Sequence, residues 1–464
     1  MDTAGSTAQP PGPIARLRHA AGIDFHIFAT LLFRGWGVVA GGATMLLIPL
    51  WLDATQQGYY YTFASVLALQ VFFELGLSGV VVQLVSHEVA RLEITADERF
   101  RGPSERVERL ASLATMLRRW YRVAAVLFAL VGGVAGALFF ARRGQLPLHA
   151  WLPVWVALIA CTAVNLSYVP ALSLLEGCGR IGQVARLRLM QAVIGYVVLW
   201  LVLAFGGTLW AAAVVPFMSA ACTTLWLRGH GSLFRWLCRH HYEAAHAMSW
   251  RTDVLPLQWR IAVSWASGFF VINLFTPVVF AHYGAAEAGR LGMAMAIFNA
   301  VTTVGMSWVN AKVPAFTAHI ARGESASLNA LFRSVATRSI LVTTALVLLV
   351  LGADAAAGAL GLRLVSRIAP LHVLGWIALA TIGNCMIFSA ATYMRAHREE
   401  PMLAVSVCGG ALTALAVGFS APAGIGMMMM LYAAITLFFG LPWTAVLFMR
   451  YHRRHSAPSP AVLQ

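Results

Sequence analysis

Residues 27–52 read IFATLLFRGWGVVAGGATMLLIPLWL, an apolar run broken by one charge, Arg34. A bilayer core takes about 20 apolar residues in helical form. This run is long enough to cross, and too continuously apolar for a soluble helix with one wet face. Eleven further runs of the same kind follow, at 58–85, 120–141, 151–176, 188–206, 208–227, 258–281, 288–311, 335–352, 371–394, 401–419 and 424–448. They are numbered here as spans 1 to 12. The expected fold class is an all-α polytopic integral membrane protein with twelve transmembrane helices. Spans 5 and 6 are joined only by Gly206-Gly207, which predicts a tight hairpin. Spans 11 and 12 divide at Ser420–Gly424 around Pro422.

Composition agrees. Of 464 residues, 59% are hydrophobic and 11% charged, where a soluble domain carries roughly a quarter charged. The chain has 33 basic and 18 acidic residues, and Lys312 is its single lysine. In a soluble protein a net charge of +15 would suggest nucleic acid. Here it follows the positive-inside rule, so no nucleic-acid partner is expected. With twelve spans both termini share one side, which collects 26 basic residues against four on the other. That asymmetry predicts cytoplasmic termini in a bacterial inner membrane. The expected division is an N-terminal segment 1–26, an N-lobe 27–228, a cytoplasmic loop 229–257, a C-lobe 258–448 and a cytoplasmic tail 449–464. The N-terminal segment lacks the basic-then-apolar pattern of a cleaved signal. Six cysteines without metal-ligand spacing indicate neither a disulfide scaffold nor a zinc site.

An offset of 226 residues lays span 1 on span 7 and span 2 on span 8. It matches Arg34 with Arg260 and Gly58 with Gly284. Halves of like orientation suit a parallel repeat about an axis along the membrane normal.

Ionisable groups within hydrocarbon face a cavity or a partner by default. Arg34 lies about seven residues into span 1, and Arg260 takes the matching place in span 7; either could instead snorkel to the headgroups. Glu74 is the single mid-span acid. It must pair, with Arg34 for example, or take up a proton. Gln70 lies near its face, and Asn273, Asn299 and Asn310 take comparable places in the second half; packing between helices is the plainer role for each. Gly132 and Gly136 form a small-residue packing pair. The histidines 230, 240, 241 and 246 crowd one loop without an acid or cysteine to complete a metal site. There is no phosphate-binding Gly-x-x-x-x-Gly-Lys, and no paired acids in an outer loop. Enzymatic function, including membrane glycan modification, is therefore not expected.

Three strings carry a resemblance: Gly58-Tyr-Tyr-Tyr-Thr-Phe, Phe73-Glu-Leu-Gly-Leu-Ser-Gly and Gln83-Leu-Val-Ser-His. In the second half Leu257-Gln-Trp-Arg-Ile-Ala-Val-Ser-Trp and Gly289-Arg-Leu-Gly-Met-Ala add to it. The chain resembles the polysaccharide-biosynthesis flippases of the multidrug/oligosaccharidyl-lipid/polysaccharide (MOP) exporter superfamily. The resemblance implies two six-helix lobes around a central cavity open alternately to each side, and a polyprenyl-diphosphate-linked oligosaccharide as cargo. It implies cavity cations at Arg34 and Arg260, with Lys312 at the mouth and Gln70, Asn273 and Asn299 along the path. Glu74 would couple transport to H+ or Na+; no other cofactor is implied. Membrane lipids, a polysaccharide polymerase and chain-length machinery are the implied partners. The alternative is a cation-coupled small-molecule or drug exporter of the same superfamily. Those proteins rely on acids in the first helix of a lobe, and spans 1 and 7 have none inside.

Overall fold

The computed structural model describes the backbone of residues 25–95, 97–397 and 401–456, and their side chains apart from residues 25–34, 257 and 454–456. Residues 1–24 and 457–464 of the expected terminal segments lie outside the described residues, as does the Arg34 side chain. Among the described residues eleven helices are long and apolar enough to cross a membrane. Span 1 adds the helix Phe25–Trp51, whose described apolar part is Gly35–Trp51. The protein is an all-α polytopic membrane protein. The described strands are one short antiparallel pair, Glu93–Ile94 with Phe100–Arg101. Large apolar side chains point outward, with Phe205, Phe419 and Phe438 each more than four-fifths exposed. In water such a surface would aggregate, whereas lipid tails solvate it.

Several helices outrun the apolar runs that announce them. Span 3 begins at Ser104 and continues to Arg143 through one wider π-turn at Phe128–Gly132. Its added first turns carry Glu and Arg, yet Leu110, Leu113, Ala114, Leu117 and Tyr121 form a buried stripe at helical spacing. Span 9 likewise covers Ser325–Ala359. The Gly206-Gly207 hairpin is present: Gly206 is left-handed and the Gly207 amide donates to the Val202 carbonyl at 2.7 Å. The division between spans 11 and 12 falls at Ala421–Gly424. Span 4 packs on the Gly132/Gly136 pair, Ile159 against Gly132 and Trp155 against Gly136, and the Trp155 indole Nε1 donates to the Gly133 carbonyl at 3.0 Å.

Two spans expected to be single helices are broken mid-membrane. Span 2 runs as Ala54–Leu67, a tight turn Ala68–Gln70, one turn Val71–Glu74, then Leu77–Val89. At the break Leu75 (φ 51°) and Gly76 (φ 66°) are both left-handed. Gly76 is required twice over, since a Cβ there would also lie 2.6 Å from the Ile261 side chain. Span 7 runs as Leu255–Ile272 and Phe275–Tyr283, interrupted at Asn273-Leu274. The breaks are neighbours: Phe72 packs on Phe269 and Phe270, with ring centroids 5.3 and 6.0 Å apart.

Packing sorts the spans into two bundles. Span 1 lies on span 5, span 5 on span 6, and span 4 on spans 2, 3 and 6. In the second half span 7 lies on span 11, span 8 on span 9, and span 10 on spans 8, 9 and 12. The bundles join most extensively where the first helix of span 2 meets span 8, Ala285–Ala311. There a Cβ on Gly58 would overlap the Ala285 carbonyl, and the Gln57 amide donates to the carbonyls of Gly289 (3.1 Å) and Arg367 (2.9 Å). Arg367 in turn donates to the Leu52 carbonyl at 3.0 Å.

The other end is joined by charge. Glu88, 7% exposed, receives Arg106 at 3.2 Å and Arg109 at 3.0 Å, and Arg109 also reaches Asp253 at 3.5 Å. The segment between the bundles contains a short helix, Ser232–Leu237, and lies along the start of span 3. Glu108 accepts from the Glu243 amide and contacts His246 Nδ1, both at 3.0 Å, and the Met248 amide donates to Ser112 at 2.9 Å.

Candidate transport site

Glu74 closes the last turn before the span 2 break and is half-buried. Tyr121 of span 3 lies close enough to feel its charge, and the Tyr121 hydroxyl is buried without a hydrogen-bond partner among the described residues. Phe73 packs on Phe128, so the break is pinned between spans 3 and 7. No ion pair to Glu74 is found among the described residues, and the Arg34 side chain lies outside that set. Gln70, four residues earlier, is exposed.

In the second half Asn299 lines a small, partly open pocket with Ile272, Met295, Thr302, Thr381, Asn384 and Tyr432, among others. Asn384 Nδ2 donates to the Tyr432 hydroxyl at 2.8 Å. Thr302 and Thr381 donate to the Phe298 and Ile377 carbonyls of their own helices. Their lone pairs are left for the cavity. No lining residue carries a charge, so the space suits water or a neutral hydrogen-bonding group. Asn273 borders Ile272 of this wall, at the span 7 break.

Arg260 is exposed near the start of span 7, its guanidinium carbon 5.3 Å from the centre of the Trp259 ring. Lys312 is exposed where span 8 ends and the helix Val313–Ala321 begins. At 1.5 Å per residue, each lies roughly 20 Å along its helix from Asn273 or Asn299. The expected residues thus form three groups: Gln70 with Glu74 at the span 2 break, Asn273 with Asn299 at the second-half cavity, and the basic pair farther along. Asn310 is exposed near Lys312.

Sequence reasoning missed Tyr121, Thr302, Thr381, Asn384 and Tyr432. Asn384, a lone amide in an apolar run, carried the same signal as Asn299. The tyrosines carried none, because membrane helices use tyrosine freely. Among the described residues no group of three or more His, Cys, Asp or Glu could hold a metal ion.

No protein-family model matches the chain, and no curated protein sequence matches it. Solved structures do. An inward-facing multidrug resistance MATE family transporter of the MOP superfamily superposes with a TM-score of 0.62 at 11% identity, over 92% of this chain and 96% of that one. The MATE multidrug transporter DinF-BH gives 0.59 at 12% identity over 96% and 98%. The lipid II flippase MurJ, in an inward closed conformation, gives 0.56 at 11% identity over 93% and 89%. Similarity this complete in coverage and this low in identity is similarity of architecture. The chain therefore has the fold shared by the MOP-superfamily transporters and flippases.

Proposed function

We propose that this protein moves a polyprenyl-diphosphate-linked oligosaccharide across a bacterial inner membrane by alternating access, for surface polysaccharide synthesis. The termini and the 229–257 loop lie in the cytoplasm, lobes 27–228 and 258–448 rock about the cavity, and Glu74 couples the motion to a cation gradient. The observation that carries the reading is the distribution of charge. Arg260 and Lys312 are exposed cations without an acidic partner among the described residues, at the end the basic asymmetry assigns to the cytoplasm. The second-half pocket above them is uncharged and carries amide and hydroxyl groups among apolar side chains. A diphosphate suits the first and a glycan suits the second.

In this reading the diphosphate docks between Arg34 and Arg260, whose planar forks bind phosphate oxygens in pairs. Lys312 adds charge at the entrance, and Gln70, Asn273 and Asn299 meet the glycan. A polymerase and chain-length machinery would take the delivered lipid. The second reading, a cation-coupled drug exporter, draws on the likeness to two multidrug transporters. It lacks an acid in spans 1 and 7, where a cationic drug would need one. Binding of polyprenyl diphosphate to the purified protein tests the first reading. Arg260→Lys should weaken binding about tenfold while protein yield is unchanged, because lysine keeps the charge and loses the fork. Equal binding by both forms would remove Arg260 from the site.

A further inference from the structure

The first half contains a wall of aromatic rings that the charge argument does not use. Trp36 of span 1 lies against Trp200 of span 5, with centroids 6.1 Å apart. Tyr196 stands one turn away on the same helix, 6.4 Å from Trp200. Tyr60 and Tyr61 of span 2 meet edge to face at 5.3 Å, and both pack in the same cluster as Trp200. Trp200 is fixed by its indole Nε1, which donates to the Thr44 hydroxyl at 2.9 Å. Trp36, Tyr60, Tyr196 and Trp200 are each half-buried, so every one of these rings keeps some accessible surface.

Two polar atoms in this wall are unspent. Trp36 Nε1 and the Tyr61 hydroxyl are buried and have no hydrogen-bond partner among the described residues, and Tyr61 as a residue is 8% exposed. Buried Trp N–H and Tyr O–H groups normally find a partner. An indole N–H can only donate, so it calls for an oxygen acceptor. Ring faces attract cations as well as sugar C–H groups, but the unpaired indole N–H repels a cation and favours a ligand that carries oxygens. A sugar ring offers a C–H face for the negative face of an aromatic ring and oxygens at its edge for the donors.

We propose that Trp36, Tyr60, Tyr61, Tyr196 and Trp200 form a sugar-ring subsite on the cargo path. This rests on the flippase reading and assigns the glycan a place in the first half, distinct from the diphosphate cations. The test compares two radiolabelled probes on the purified full chain: polyprenyl diphosphate and the same lipid bearing a disaccharide. The natural protein should bind the glycosylated lipid at least fivefold tighter. Trp36→Phe and Tyr61→Phe each keep a ring and delete an unpaired donor, so Tm should hold or rise while the preference falls to twofold or less. Trp200→Phe should reduce the preference as well, with a lower Tm from the lost bond to Thr44. A natural protein that binds both lipids equally overturns the subsite and leaves the flippase reading standing. One that binds neither overturns both. A lower Tm with an unchanged preference in Trp36→Phe and Tyr61→Phe makes the wall packing alone, and also overturns the subsite.

Discussion

Laid on each other at the 226-residue offset, the two halves use matching positions differently. Glu74-Leu75-Gly76, where span 2 breaks, falls on Ala300-Val301-Thr302, where span 8 runs unbroken from Ala285 to Ala311. Asn273, where span 7 breaks, falls on Leu47 in the continuous helix Phe25–Trp51. Each half therefore has one broken helix, but not the same one. The broken pair, spans 2 and 7, pack on each other through Phe72, Phe269 and Phe270. Glu74, beside Tyr121, falls on apolar Ala300, while Thr302, which lines an uncharged pocket in the second half, falls on Gly76. The first half thus carries an ionisable group at its break and the second an uncharged pocket. Broken membrane helices are tolerated where the freed backbone faces protein or a cavity.

The largest effect should come from the contact that holds the halves together. Gly58→Ala places a methyl group onto the Ala285 carbonyl, so spans 2 and 8 must part. Overpacking of this kind costs about 1–3 kcal/mol. Cysteines introduced near this end should become accessible to a membrane-impermeant thiol reagent. At the matching Gly284 the demand is a left-handed φ of 86°, so Gly284→Ala should strain the turn at the start of span 8 without exposing those cysteines. Equal exposure in both variants would erase the distinction.

Next in size is Glu74→Gln, which keeps the shape and fixes the group neutral. The protein should fold and bind cargo, yet lose most of its response to an imposed pH or sodium gradient. Placing an acid at Ala300 should not restore it. A normal rate with an unchanged gradient response would make Glu74 a packing residue.

A smaller effect separates the backbones. A left-handed non-glycine residue costs about 1–2 kcal/mol. Leu75→Gly should therefore be close to neutral in thermal unfolding, relief of φ offsetting the lost side chain. Val301→Gly should destabilise by about 1 kcal/mol or more, since glycine inside a regular helix is unfavourable and Val301 is buried. Equal losses would mean that the break does not strain Leu75.

The smallest effect concerns the segment that joins the halves. His246 faces Glu108 and Glu105 of span 3 and Glu243 of its own segment, and its hydrogen bond with Glu108 raises its pKa above the usual histidine value. A raised pKa stabilises docking fully below about pH 6.5, and the gain is lost as pH rises through the raised value. Protease cleavage of residues 240–250 should therefore quicken between about pH 6.5 and 8. His246→Ala should abolish that pH dependence.

Much of this architecture is written locally. Length and apolarity mark each span, and the Gly206-Gly207 and Ser420–Gly424 turns are explicit. Glu74 and Asn299 stand out because polar groups are rare in hydrocarbon. The breaks were not legible: Phe73-Glu-Leu-Gly-Leu reads as a helix with one tolerated glycine. Ile261, 185 positions after Gly76 in the sequence, fills the space beside that glycine, a contact no local pattern announces. The aromatic wall was hidden for the same reason, since Trp36 and Trp200 meet through tertiary packing. Asn384 and Tyr432 pair across two spans that no local pattern connects.

The central claim is the cargo, and reconstituted transport tests it most directly. Proteoliposomes containing the purified protein would be given a fluorescent polyprenyl-diphosphate oligosaccharide on one leaflet, or a fluorescent organic cation in the lumen, each under a pH or sodium gradient. The account predicts gradient-dependent movement of the lipid to the other leaflet, reduced about tenfold or more by Arg260→Lys, and no movement of the cation. Gradient-driven transport of the cation with no flipping of the lipid would contradict it.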